Sequence, residues 1–331
     1  MSVLVPVRDE EGYIREAAAA MRAQDFAEGL EFLLIDGRST DATAAILREL
    51  AARDDRIRVL DNPAQNTPAA LNIGLAAARG SYIARMDAHT HYPPGYLTAG
   101  VNRLRKGGAA HVSGPQLPYG TGTWSRRVAL ALGTRLGTGG AAFRRDAGEE
   151  FEVDSGFTGV WERATLERHG GWDEEWINDQ DSELAARILE EGGTIVCLPE
   201  MAADYTPRDS LERLARQYWR YGLYRAKTSA RHPHSMRRSH VLAPGLVLAL
   251  AVALLPLGPF SRLARLGVAA YACAVLGLSA TQAPHAEARD VAWLPAVFAS
   301  MHLPYGAGFL VGSARFGPPL KALVTLLGRG S

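Results

Sequence analysis

Along the first part of the chain, short apolar runs are separated by longer stretches in which apolar residues recur at helical spacing. Val3 to Val7 is an apolar run followed by a helical pattern through Met21, and Phe32 to Ile35 is a second, followed by a helix from Thr40 to Ala52. Ile57 to Leu60, the Ala-rich stretch Ala69 to Ala78 and Tyr82 to Met86 continue the alternation. Repeated strand–helix units predict an α/β fold, a mostly parallel sheet with flanking helices on both faces. Ligands of such a sheet bind beyond the carboxyl ends of the strands. The segments at those ends are polar: Arg8-Asp9-Glu10, Asp36-Gly37-Arg38-Ser39-Thr40-Asp41 and Asp87-Ala88-His89.

The last part of the chain has a different pattern. Val241 to Phe260 is an uncharged stretch of about 20 residues, long enough as a helix to match a bilayer core. Val291 to Gly312, about 22 residues, is another, interrupted by His302 and by Pro and Gly. Leu266 to Ala280, about 15 residues, is short for a span and fits a tilted, re-entrant or interfacial segment. The pattern predicts two or three membrane spans; the competing reading is a set of buried helices in a soluble domain. Composition supports the first. The 331 residues carry 36 basic and 35 acidic side chains, but the last 91 hold six basic and two acidic ones.

The net charge of +1 argues against a nucleic-acid partner. Two cysteines, Cys197 and Cys273, cannot make a disulfide framework. The first residues lack the basic and then apolar pattern of a secretory signal, since Ser2 to Val7 runs straight into Arg8-Asp9-Glu10-Glu11. The first domain is therefore expected in the cytoplasm. Arg225, Lys227, Arg231, Arg237 and Arg238 crowd the entry to the first apolar stretch, and the positive-inside rule puts that flank on the same side.

Each polar segment has two readings. Asp36 to Asp41 suits a turn and helix N-cap as well as a ligand site, and Asp87-Ala88-His89 suits a solvated loop. Their occurrence at successive strand ends favours chemistry: carboxylates accept from base N–H groups or ribose hydroxyls, and a carboxylate with an imidazole holds a divalent ion against a diphosphate. Neither GxxxxGK[ST] nor GxGxxG follows the first strand, which argues against a P-loop NTPase or an NAD enzyme.

Val5 to Glu11, Ile35 to Asp41 and Met86 to His89 together resemble the family 2 glycosyltransferases, GT-A enzymes that use nucleotide-diphosphate sugars. Gly170-Gly171-Trp172-Asp173, followed by Asp179-Gln180-Asp181-Ser182-Glu183-Leu184, resembles that family's Gly-Gly-Phe-Asp and Glu-Asp-x-Glu-Leu stretch. Gln217-Tyr218-Trp219-Arg220-Tyr221 resembles its QxxRW element. The likeness covers about residues 2 to 228. A narrower likeness, to membrane glucosyltransferases of bacterial exopolysaccharide (succinoglycan-type) synthesis, rests on Asp87-Ala88-His89, Gly137 to Ala141, Tyr205 to Ser210, Gln217 to Gly222 and Tyr305 to Phe309.

The resemblance implies a GT-A domain over 1–228, and the charge and hydropathy pattern adds an interfacial helix over 209–230, a basic linker over 229–240 and a membrane region over 241–331 with two to three spans, at 241–260, 266–280 and 291–312. It assigns Asp181 as the base that takes the acceptor proton, at a helix start where backbone N–H groups orient it, and Arg220 as the cation that stabilises the departing diphosphate. Asp36 would read the nucleotide base, with Pro6, Val7 and Glu10 lining the pocket; Glu10 also suits a charged first helical turn. Asp87 would contact ribose or metal. His89 stands where many relatives carry a second metal-binding Asp, a departure that favours Mn²⁺ over Mg²⁺. Gln217, Trp219 and Tyr221 would serve substrate, with Trp219 and Tyr221 flooring the acceptor site; the same residues also suit an amphipathic helix on the membrane surface.

The expected protein is thus a multi-pass inner-membrane, inverting hexosyltransferase with its catalytic domain in the cytoplasm. Its donor would be a nucleotide-diphosphate sugar, UDP-glucose being the instance the resemblance suggests, and its acceptor a polyprenyl-linked oligosaccharide or exopolysaccharide. A processive synthase and a non-catalytic nucleotide-binding membrane scaffold are the alternatives.

Overall fold

The apolar runs at the start of the chain are strands in the computed structural model, which describes residues 1–144 and 148–328. They are β1 (Ser2–Val7), β2 (Glu31–Asp36), β3 (Ile57–Asp61) and β4 (Tyr82–Arg85). With β6 (His111–Ser113), β8 (Phe151–Glu152), β9 (Gly159–Glu162) and β10 (Ile195–Cys197) they form one sheet in the order β3-β2-β1-β4-β9-β6-β10-β8. β1 pairs in parallel with β2 and β4, β2 with β3, and β6 with β10; β9 runs antiparallel between β4 and β6. A small second sheet joins β5 (Thr90–His91), β11 (Ala203–Tyr205) and β7 (Gln116–Pro118).

Side chains of successive strand residues point to opposite faces, and both faces of this sheet are covered. Val3, Val5 and Val7 of β1 enter one core with Ile14, Ala17 and Met21 of α1 (Ile14–Arg22), Leu47 and Leu50 of α2 (Thr43–Arg53) and Leu97 and Val101 of α4 (Tyr96–Arg105). Leu4 enters the other, with Leu71 and Leu75 of α3 (Thr67–Ala77), Leu166 of α7 (Arg163–Arg168) and Leu184 and Ile188 of α8 (Gln180–Glu190). This two-sided burial explains why the strands read as continuous apolar runs. The register sets Val7 opposite Asp36 and Asp36 opposite Asp61, so the polar segments after these strands share one edge.

Two compact units divide the chain: Met1–Leu117 with Ala142–Tyr205, which holds the large sheet, and Pro118–Ala141 with the chain from Thr206 onward. The second unit is helical, with α5 (Thr123–Leu132), α6 (Arg135–Thr138), α9 (Leu211–Arg231), α10 (Ser239–Leu254), α11 (Pro259–Thr281), α12 (Ala288–Phe316) and α13 (Leu320–Gly328). The structure thus groups residues 118–141, placed by sequence inside the catalytic domain, with the apolar helices. The reason is specific packing: Arg127 of α5 donates from Nε to Asp290 of α12 at 2.8 Å, and Trp124 and Trp293 meet edge to face over the pair.

The helix limits correct the expected spans. The stretch 241–260 is not one helix, because α10 stops at Leu254 and Leu255-Pro256-Leu257-Gly258 intervenes before Pro259 opens α11. Pro256 has no N–H to continue the helical ladder, Gly258 takes a positive φ of 59°, and Pro259 is well suited to a first helical turn. α11 gains the residues that α10 loses, so 266–280 lies inside a 23-residue helix rather than a short one. Two helical stretches, Pro259–His285 and Ala288–Phe316, are long and apolar enough to cross a membrane; α10 is shorter. The last three residues of the region 241–331 lie outside the described residues.

Candidate active site

At the carboxyl edge of the sheet the backbone is left-handed at three residues with side chains, Asp9, Arg38 and Gln65, at φ of 54°, 55° and 56°. A left-handed residue with a side chain is uncommon and must be held by its surroundings. Here the loops after β1 and β2 hold each other. The Asp9 N–H donates to Ser39 Oγ at 3.0 Å and the Thr40 N–H to Asp9 Oδ1 at 2.7 Å. The Ala42 N–H donates to Glu11 Oε2 at 2.9 Å, the Glu11 N–H to Asp41 Oδ2 at 3.2 Å and the Glu10 N–H to Thr43 Oγ1 at 2.8 Å. The two loops make one ledge beside Pro6, Val7 and Asp36.

Asp36 accepts from the Ser39 N–H and hydroxyl on Oδ1, at 3.1 and 2.6 Å, so one oxygen makes the turn that the sequence allowed while Oδ2 lies outside it. Glu10 and His89 come together across the ledge, with Nδ1 3.4 Å from Oε1. His91 stays exposed on β5, 3.8 Å from Glu16.

Beneath the ledge the end of β4 carries a buried cation. Arg85 donates from Nε to Asp87 Oδ1 at 2.9 Å and from Nη2 to Oδ2 at 3.2 Å. Its Nη1 donates to Asp181 Oδ1 and Oδ2 at 2.6 and 2.8 Å. Phe157 lies against the guanidinium at 4.9 Å, and the Asp87 N–H donates to the Tyr92 hydroxyl oxygen. One guanidinium thus serves two carboxylates, leaving the trio with a formal charge of −1. Burial pushes the Asp181 carboxyl up to about 6, opposed by Arg85 and reinforced by Asp87. Burial also works against the Arg85 cation, but Asp181 and Asp87 hold its pKa above the ordinary value. The buried Trp172 indole also works to lower the Asp181 pKa.

Asp181 stands in the first turn of α8, as its sequence position implies, but Arg85 rather than backbone N–H groups orients its carboxylate. Glu183 takes the supporting part: buried, it accepts from Arg187, which reaches on to the Gly171 carbonyl oxygen and braces the Gly170-Gly171-Trp172 turn. Arg85 is the residue that sequence reading missed. Its signal was present as an arginine inside the apolar run Tyr-Ile-Ala-Arg-Met, where a buried charge requires partners.

Gln217, Trp219, Arg220 and Tyr221 belong to the second unit, on α9. Gln217 Nε2 donates to the Tyr221 hydroxyl at 2.7 Å, while Trp219 and Arg220 are exposed. Among the described residues no three His, Cys, Asp or Glu side chains converge as a metal cluster. Asp87 and His89 fit a divalent ion only as part of its shell, a carboxylate and an imidazole that a diphosphate and water would complete.

Comparison with solved structures places this architecture. Mannosyltransferase PcManGT from Pyrobaculum calidifontis, solved in complex with GDP-Man and Mn2+, matches over 100% of this chain and 87% of its own with a TM-score of 0.56 at 20% identity. The fold is GT-A, the nucleotide-sugar-binding class. The model of the family "Glycosyl transferase family 2" matches residues 2–164. Succinoglycan biosynthesis protein ExoA of Rhizobium meliloti is 30% identical over 310 residues, 93% of each chain. A dolichyl N-acetyl-alpha-D-glucosaminyl phosphate 3-beta-D-2,3-diacetamido-2,3-dideoxy-beta-D-glucuronosyltransferase of Methanococcus voltae is 25% identical over 236 residues, 67% of this chain and 71% of that protein. The chain belongs to glycosyl transferase family 2 and is a glycosyltransferase.

Proposed function

We propose that this glycosyltransferase builds a bacterial exopolysaccharide, moving a hexose with inversion from a nucleotide-diphosphate sugar to a polyprenyl-linked acceptor at the cytoplasmic face of the inner membrane. The observation that carries the proposal is the Asp181 carboxylate, raised in pKa and held 2.6 Å from Arg85 beside Asp87. A base must be ionised at working pH yet basic enough to take a proton, and a buried carboxylate near 6 meets both needs. Asp181 takes the acceptor hydroxyl's proton as that oxygen forms its bond to the anomeric carbon and the bond to the diphosphate breaks on the opposite face.

Asp36, with Pro6, Val7 and Glu10 around it, receives the nucleoside, and Asp87 its ribose or metal. A divalent ion held by Asp87 and His89 would neutralise charge on the diphosphate. The QxxRY motif, rather than any contact, assigns Arg220 to the leaving diphosphate and Gln217, Trp219 and Tyr221 to the acceptor. The ExoA likeness over 93% of the chain supports the polysaccharide assignment. Glucose from UDP-glucose is the donor to test first, and the apolar helices support membrane attachment. A screen of UDP-, GDP- and dTDP-sugars with Mn²⁺ or Mg²⁺, with and without lipid-linked acceptor, tests this reading. Acceptor-dependent nucleotide release that Asp181→Asn abolishes is the expected result; full transfer by that variant overturns it.

A further inference from the structure

The second unit contains its own information about how it meets lipid, and this builds on the membrane attachment proposed above. Both ends of α12 are fastened to polar elements of the unit. At its start, Asp290 is buried against Arg127 of α5 and Trp293 meets Trp124, and midway along it His302 Nε2 lies 3.2 Å from the Leu136 carbonyl oxygen of α6. The stretch 118–141 that carries α5 and α6 leaves the catalytic unit at Leu117 and returns to it at Ala142. It also carries Arg126, Arg127 and Arg135, so it has neither the length nor the composition to pass through a bilayer and back.

Toward its end, α12 packs along α9. A Cβ on Gly222 would collide with the Tyr305 carbonyl oxygen, and one on Gly308 with that of Trp219, so the two backbones touch. α9 enters from the catalytic unit and carries Arg213, Arg216 and Arg220 on exposed positions. Phe309 of α12, Ala226 of α9, Met236 and Ala322 of α13 then share one core. α12 is thus held at its start by α5 and toward its end by α9 and α13, all elements of its own unit and joined to the catalytic unit by stretches too polar to cross a bilayer.

The hairpin formed by α10 and α11 also rests on α12, where a Cβ on Gly306 would collide with the Ala243 carbonyl oxygen and the Tyr271 hydroxyl lies 2.9 Å from His302 Nδ1, but most of its apolar surface is uncovered. It departs just after Met236 and returns just before α12, and the large side chains it presents are exposed: Leu254 at 86%, Phe260 and Leu263 at 70%, and Leu266 at 68%. The uncharged length on each arm, Val241 to Leu254 and Leu266 to Ala280, is about 21 to 23 Å. Arg225, Lys227, Arg231 and Arg238 lie in the sequence just before the hairpin, where cations suit anionic headgroups.

We propose that the α10–α11 hairpin is the element that enters the lipid bilayer and that α12, although long and apolar enough to span, lies on the cytoplasmic side as the platform that carries the hairpin. The hairpin buries its leucines in acyl chains; α12 remains in contact with α5, α6 and α9, whose arginines would be expensive to take into lipid.

Single cysteines at Glu287→Cys and Lys321→Cys, on either side of α12, test this in the full-length protein with Cys197 and Cys273 replaced by Ala. A membrane-impermeant maleimide applied to intact cells and to inverted vesicles should label both positions from the same face, and from neither preparation should it label the native Cys273 of α11 in protein altered only by Cys197→Ala. Labelling of 287 and 321 from opposite faces means that α12 crosses the membrane and overturns the inference, as does labelling of Cys273 in membranes. An alkaline carbonate wash separates the two claims: protein released by the wash refutes membrane attachment itself, whereas protein retained but labelled on opposite faces refutes only this arrangement of helices.

Discussion

Arg85 and Asp181, 96 residues apart in sequence, form a two-point contact in which both carboxylate oxygens accept from a single guanidinium nitrogen, Nη1. The remaining guanidinium nitrogens grip Asp87, so the carboxylate proposed as base and the carboxylate proposed to face the donor are joined through one buried cation. The contact fixes where Asp181 sits and balances half of the charge that burial would otherwise leave uncompensated.

Replacing Asp181 by Asn keeps the shape and removes the base. The expected loss in kcat is about 10² to 10⁴-fold, the range general-base groups supply, with nucleotide affinity close to wild type. Steady-state transfer assays beside calorimetric titration with UDP separate these two quantities.

Arg85→Met leaves Asp87 and Asp181 buried and unpaired and should cost about 3–5 kcal/mol of stability, as removing one partner of a buried ion pair does. Arg85→Lys preserves the charge but cannot span both carboxylates in a plane. It should fold, retain nucleotide binding and lose kcat by about tenfold or more, since each 1.36 kcal/mol is a factor of ten. Thermal unfolding and kinetics on both variants check this; a fully active Arg85→Lys protein would show that the two-sided grip is not needed.

The raised pKa of Asp181 has opposite consequences for rate and stability. Below about 6 the carboxylate takes up a proton and the transfer rate should fall tenfold per pH unit. The folded value lies above the ordinary 3.8, so the fold favours the protonated form, and this residue's contribution to stability rises as pH falls through 6 and is complete below 3.8. The groups facing Asp181 are Arg85, Asp87, Trp172 and Gln180, whose Nε2 donates to Oδ2 at 3.3 Å. A pH–rate profile whose acidic limb moves or disappears in Asp181→Asn is the expected signature.

The metal site proposed at Asp87 and His89, with Glu10 3.4 Å from the imidazole, predicts a dependence on metal identity. Chelation should lower transfer, Mn²⁺ should restore it better than Mg²⁺, and His89→Asp should move the preference toward Mg²⁺, because carboxylate oxygen suits the harder ion. Activation curves for the two ions in wild type and variant read this directly.

Gly222→Leu would push a side chain into the Tyr305 carbonyl oxygen on α12. Overpacking of this kind costs about 1–3 kcal/mol, and here a helix backbone rather than a flexible side chain must give way. Thermal unfolding in detergent should show the loss, with nucleotide binding by the catalytic unit little changed.

Much of the catalytic unit was legible because it follows from local pattern. The runs at Val3, Phe32, Ile57 and Tyr82 became strands since buried parallel strands are apolar on both faces, and the polar segments after them gathered at one edge because parallel strands end together. Asp36 and Asp87 could be picked out for the same reason, and Asp181 by the likeness of its motif to the family's Glu-Asp-x-Glu-Leu stretch. Arg85 could not be given a role from its neighbours, since its partner Asp181 arrives from α8, far along the chain. The helix limits after residue 240 were misplaced where Pro256 and Gly258 interrupt an otherwise uniform apolar stretch, a break that average hydrophobicity does not register.

The sequence by itself determined the strand–helix alternation, the family and the division between a charged and an apolar region, because periodicity, motif and composition are properties of neighbouring residues. Tertiary structure decided which groups share a charge and which apolar helix is covered: Asp87 and Asp181 meet on Arg85, and α12 lies against α5 and α9 while α10 and α11 expose their leucines. Those outcomes depend on register and close backbone approach between distant segments, which only packing in three dimensions fixes.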